Sequence, residues 1–132
     1  MTMNSMYFLN SQVSAQYLQR VMLTDVEEFW VLALNSQKRG IGISRVFKGT
    51  VDSCFFHPRD VFRFACNYNA SSIIVAHNHP SQNSKPSLQD IEITKKLMAA
   101  SELLQIPLED HLIITEKDYF SFADYGFLHR PR

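Results

Sequence analysis

Apolar positions recur along this chain with two different spacings. Val13, Tyr17, Leu18, Val21 and Met22 fall on one helical stripe, which predicts an opening helix capped by Ser11. The apolar run 29–34 and residues 40–47 read as a hairpin across Ser36-Gln37-Lys38-Arg39, and residues 49–55 as a further extended segment. Pro58, suited to a first helical turn, opens a helix to about Asn67 with Val61, Phe62 and Ala65 inside. Ser72-Ile73-Ile74-Val75-Ala76 reads as a short buried strand, set between Asn69 and the turn residues Asn78 and Pro80. After a polar loop over residues 80–86, Leu88, Ile91, Leu97, Met98 and Leu104 return at roughly helical spacing. Residues 112–115 and 119–122 then flank the turn Glu116-Lys117-Asp118. This succession predicts one α/β domain, a mixed sheet flanked by helices.

Composition bounds the reading. With 132 residues, 45% of them apolar and 20% charged, the chain has the make-up of a soluble globular domain. At this size roughly 68–70% of the unfolded surface is buried without staples. No apolar run approaches a membrane span, and the N-terminus has neither the basic nor the apolar region of a secretory signal. Cys54 and Cys66 are unclustered and read as buried thiols in a reducing compartment, so a cytoplasmic location is expected. The 13 basic and 13 acidic residues cancel. Lys38-Arg39, Lys95-Lys96 and the tail His129-Arg130-Pro131-Arg132 are modest clusters, so tight non-specific nucleic-acid binding by this chain alone is not expected.

One window concentrates the chemistry. In His77-Asn78-His79-Pro80 the two imidazoles are two residues apart, so on an extended segment both project to the same side. At the end of a buried strand they occupy a common location for binding groups in α/β sheets. Ser87 is the natural cap of the helix that follows, with Asp90 in its first turn. A serine followed three residues later by an acid is often only a capping arrangement. A single metal site, however, accounts for both histidines, the loop and the acid together. His77, His79 and Asp90 offer two nitrogens and one oxygen, a partial shell for one Zn2+ that leaves a fourth position open, the arrangement of hydrolytic rather than structural zinc.

His77, His79, Ser87 and Asp90 also match the His-x-His-x7-Ser-x2-Asp pattern of the JAMM (MPN-plus, JAB) metalloproteases. The local wording more closely resembles the RadC family of bacterial proteins. Phe47-Lys48-Gly49-Thr50, His57-Pro58-Arg59-Asp60-Val61-Phe62, Pro86-Ser87, Asp110-His111-Leu112-Ile113-Ile114 and Ser121-Phe122 follow in the order of that domain. The resemblance covers about residues 27–128, with residues 1–25 as an N-terminal helical segment within one domain of 132 residues. It implies a JAB/MPN fold similar to cytidine deaminases. Two departures stand out: Gln82 replaces a usual Gly, and the helix-hairpin-helix-like extension of long RadC proteins is not in this sequence.

The resemblance further implies a glutamate acting as general base on a metal-activated water. In Asp25-Val26-Glu27-Glu28-Phe29-Trp30 the family pattern falls on Glu27. Adjacent strand residues face opposite ways, so Glu27 or Glu28 reaches the site, not both; Glu27 is favoured, and solvated charges at a strand entrance are the plain alternative. The implied reaction is zinc-dependent hydrolysis of a peptide or isopeptide amide in a protein or peptide substrate. Glu27 moves the proton, and the Ser87 hydroxyl donates to the developing oxyanion. His111 reads as a structural histidine or as a group behind the ligands. His57 reads as a helix-entry residue, and Asn78 as facing away and holding the loop. A zinc deaminase would need His-x-Glu and Pro-Cys-x-x-Cys, both missing here. The residues of an HNH nuclease are dispersed over a ββα unit, unlike the adjacent His-Asn-His here. The remaining alternative is a non-catalytic JAB-like scaffold in DNA repair or recombination that binds protein partners.

Overall fold

A computed structural model describes residues 2–22, 25–49 and 57–128. Five strands form one mixed sheet in the order β2-β1-β3-β4-β5: β1 (Glu27–Leu34), β2 (Gly40–Gly49), β3 (Ser72–Asn78), β4 (Leu108–Ile114) and β5 (Tyr119–Ser121). Only β3 and β4 run parallel, joined through α3 (Leu88–Leu104); the other neighbours are antiparallel. Helix α1 (Ser11–Val21) covers one face and α2 (Pro58–Asn67) with α3 the other, giving the α/β architecture expected of a JAB domain. No helix among the described residues is long and apolar enough to cross a membrane.

The alternation of β1 explains the two layers. Phe29 and Val31 pack with Val61, Phe62 and Leu97, while Leu32 and Leu34 pack with Ala15 and Leu18 of α1. On β3, Ile73 and Val75 join the first cluster and Ile74 and Ala76 the second, so the strand is buried on both sides. That is why it reads as an unbroken apolar run.

Several boundaries differ from the sequence expectation. Strands β1 and β3 are each two residues longer, so Glu27 and Glu28 lie inside β1 and His77 lies inside β3. Strand β4 begins at Leu108, which puts His111 within the strand rather than before it. Polar residues there pair with other buried groups, and a polarity pattern cannot see that. The cap of α1 is Asn10, whose side chain accepts from the Val13 amide; Ser11 is the first helical residue. Cys66 is exposed, correcting the expectation of a buried thiol: α2 turns Val61, Phe62 and Ala65 inward instead. Cys54, the extended segment expected beyond Gly49, and the basic tail from His129 fall outside the described residues.

Asp110 ties the end of the sheet together. Its carboxylate accepts from the Ser121 hydroxyl at 2.6 Å, the Ala123 amide at 3.0 Å and the His111 amide at 2.8 Å. Burial nevertheless raises its pKa to about 6, outweighing those donors. A carboxyl that holds its proton more tightly when folded stabilises the fold below its unfolded value, about 3.9. That contribution is lost as pH rises through about 6. Denaturant titrations from about pH 4 to 6 are therefore expected to show wild type losing up to about 3 kcal/mol relative to Asp110→Asn, which keeps the same shape without titrating. Parallel pH profiles for the two proteins would show that the native carboxyl titrates normally.

Candidate metal centre

His77 lies near the end of β3, opposite Phe29 of β1 and Ile113 of β4, and His79 follows just past the strand. Asp90 reaches the same point from the first turn of α3. The Nε2 atoms of His77 and His79 are 3.1 Å apart; Asp90 Oδ1 lies 2.9 Å from the first and Oδ2 3.1 Å from the second. Ligating atoms of all three residues lie within 4.8 Å of one another. Bonds of 2.0–2.1 Å in a tetrahedral zinc site would separate ligand atoms by about 3.3 Å. The observed triangle fits such an ion with a few tenths of an ångström of expansion.

The protonation pattern fits as well. His79 Nδ1 is 2.7 Å from the Asn83 carbonyl, which can only accept, so the ring donates there and turns Nε2 towards the site. Asp90 would be pushed up by burial, but the facing rings of His77 and His79 and the hydrogen bond from the Ser87 amide hold its carboxyl well below the usual carboxylate range. The hydrogen bond to Asp90 raises His79, against the opposing effect of its partial burial. These are the signs of donors that hold each other in place.

Ser87 caps α3: its Oγ accepts from the Asp90 amide at 3.1 Å, and its own amide donates to Asp90 Oδ2 at 2.8 Å. The capping box therefore aims Asp90 at the histidines, so the capping and metal readings describe one arrangement. His77 and Asp90 are buried, His79 is half-buried and Ser87 is exposed, so the cluster meets solvent on the side of His79 and Ser87.

Glu27 shares the parity of Phe29 on β1, and Phe29 stacks on the His77 ring with 5.9 Å between centroids. A narrow cleft is lined by Glu27, Glu28, Phe29, Phe47, His77, Asp90 and Ile93. The Glu28 carboxylate, on the other parity, accepts from Trp30 Nε1 at 3.0 Å and from Arg45 at 2.9 Å. Asn78 faces away from the histidines, and among the described residues its side chain bonds the backbone at the start of β1 rather than the loop after His79. Its Oδ1 accepts from the Glu28 amide at 2.7 Å, and its Nδ2 donates to the Val26 carbonyl at 2.6 Å. The middle residue of His-Asn-His thus grips the backbone on both sides of Glu27.

His111 is fully buried behind His77, its ring stacked 4.7 Å from Phe122, and burial holds its pKa well below the ordinary imidazole value. It faces no solvent. Sequence reasoning missed its second partner, Thr94, although Thr94 lies one turn beyond Asp90 and so on the same face of α3. Gln82 takes a left-handed conformation with φ of 67°, the region glycine favours. The loop thus keeps that backbone without Gly, and the Gln82 side chain accepts from the Glu116 amide at 2.8 Å. His57 occupies the N-cap position of α2, as its place before Pro58 predicts.

Fold and candidate site together define a JAB-type domain, and the RadC-like JAB domain family matches residues 8–127. The chain belongs to that family. A UPF0758 protein of Photorhabdus laumondii is 43% identical over 88% of this chain and 51% of its own length. A UPF0758 protein of Thermotoga maritima is 41% identical over 91% of this chain and 54% of the relative. The UPF0758 protein YfjY of Escherichia coli K12 is 38% identical over 92% and 76% respectively. The chain thus spans about half the length of the first two relatives.

Proposed function

We propose that this domain is a zinc-dependent hydrolase that cleaves a peptide or isopeptide amide bond. The observation that carries the proposal is the triangle of His77 Nε2, His79 Nε2 and the Asp90 carboxylate on the sheet face that also bears Glu27. Two imidazoles and a carboxylate are the donor set of hydrolytic zinc sites. A cation held there supplies Lewis acidity, acidifying a water and polarising a carbonyl.

The chain's own groups do the rest. Glu27 takes a proton from the attacking water and delivers it to the amine nitrogen as the C–N bond breaks. Ser87 Oγ, although it accepts from the Asp90 amide, still has its hydrogen to donate to the carbonyl oxygen as that oxygen gains charge. Zero net charge favours a protein or peptide partner over a nucleic-acid backbone.

Zinc-loaded protein screened against peptide and isopeptide substrates is expected to cleave one class, with cleavage lost on chelation. In the same assay Ser87→Ala is expected to keep zinc, melt with a loss of about 1 kcal/mol and lower kcat by roughly 10²–10³. Ser87→Asp preserves the cap but sets a negative charge against the oxyanion, and should be slower still. Full activity in Ser87→Asp removes the serine from the mechanism. Stoichiometric zinc without any cleavage favours a scaffold.

A further inference from the structure

We infer that Thr94 and His111 are positioning residues that fix the tautomer of His77, so that its Nε2 lone pair is presented to the site. This rests on the metal reading for its purpose, but the hydrogen bonds alone set its direction.

Thr94 Oγ1 lies 2.7 Å from the Asp90 backbone carbonyl and 2.6 Å from His111 Nδ1. Two oxygens that close need a hydrogen between them, and the carbonyl has none, so the Thr94 hydroxyl donates to Asp90. That spends its only hydrogen. The contact with His111 is therefore made by the His111 Nδ1–H, with Thr94 accepting. His111 is fully buried and neutral, and a neutral imidazole carries one N–H, so its Nε2 is an acceptor. His77 Nδ1 lies 2.9 Å from that Nε2 and must donate. The hydrogen of His77 is thus placed on Nδ1, away from His79 and Asp90.

The chain of bonds starts at the backbone of one candidate ligand and ends on the ring of another. It locks α3 to β3 through β4, and Phe29 stacks on the His77 ring and Phe122 on the His111 ring, which limits how far either imidazole can turn. Each link has one allowed direction only because Thr94 begins it. A side chain without a hydroxyl there frees His111 to protonate Nε2, donate to His77 Nδ1 and drive the His77 hydrogen onto the nitrogen facing the site. Outer partners of ligating histidines elsewhere are worth about 10–100-fold in metal affinity.

The test uses ¹⁵N-detected imidazole spectra of the metal-free chain at alkaline pH, with zinc affinity measured by chelator competition. Wild type is expected to show His77 protonated at Nδ1 and bare at Nε2. Thr94→Val, close in shape, is expected to shift His77 towards the other tautomer and to weaken zinc binding about 10–100-fold. Thr94→Ser, which restores the hydroxyl, is expected to recover both. A His77 tautomer and zinc affinity unchanged in Thr94→Val overturn the inference, as does a wild-type His77 bare at Nδ1. Should Thr94→Val fail to fold, Thr94→Ser decides: a folded Thr94→Ser without the His77 Nδ1 proton also overturns it. A wild type that takes no zinc, yet shows the tautomer and its dependence on Thr94, sinks the metal reading and supports the relay.

Discussion

Replacing His77 and His79 together with alanine is expected to leave a folded protein that no longer retains zinc. Both rings meet Asp90 through Nε2, so the double variant deletes two corners of the triangle and leaves a single carboxylate. Binding energies of about 10–16 kcal/mol for four-ligand zinc sites imply on the order of 10²–10³-fold per ligand lost. Micromolar or weaker binding then remains, too weak to survive dialysis. The fold is expected to persist because the capping contact between Ser87 and Asp90 does not involve either ring. Asp90→Asn separates these roles further, since its amide oxygen still accepts from the Ser87 amide while the ligand charge is gone. Elemental analysis after dialysis checks both variants against wild type. Stoichiometric zinc in the double alanine variant would show that the ion sits elsewhere.

The candidate site was legible in the sequence where its geometry is local. His77 and His79 share a side through strand alternation alone, and Ser87 and Asp90 are placed by a three-residue capping rule. Neither needs knowledge of the rest of the fold. Thr94 and His111 were not legible as partners, because their contact joins α3 to β4 across 17 positions of sequence. Polarity misled in the same region. Asp110 and His111 read as residues before a strand, whereas both are buried within one and satisfied by Ser121 and Thr94. Apolar spacing misled in the opposite sense on α3: Leu88 and Leu104 match the helical period but are exposed, while the inward stripe is Asp90, Thr94, Leu97 and Ser101. A helix that carries a site on its buried face breaks the rule that buried means apolar. The departure marks the candidate site.

Glu27→Gln is expected to keep zinc and stability while lowering the rate of amide cleavage by about 10²–10⁴, the range for a lost general base. Glu28→Gln is expected to keep zinc and cleavage while losing stability. The two acids differ by one position and so by one face of β1. Glu27 falls on the face of Phe29 and His77, and its charge reaches His79. Glu28 is fully buried, holding Trp30 Nε1 and Arg45, so its neutral replacement weakens a charge-assisted bond. Arg45 is 40% exposed and can turn to water, which limits the cost to about 1–2 kcal/mol. Asn78 bears on the same experiment, since it grips the Val26 carbonyl and the Glu28 amide and so sets where the Glu27 side chain starts. Asn78→Ala is therefore expected to slow cleavage and leave zinc in place, because its buried amide lies on the other side of β3 from the histidines and bonds the backbone at Val26 and Glu28. Zinc content, melting temperature and kcat on the three variants separate the roles. An inactive Glu28→Gln beside an active Glu27→Gln would mean that the register of β1 against β3 is shifted by one residue, since a single-residue slip exchanges the two faces.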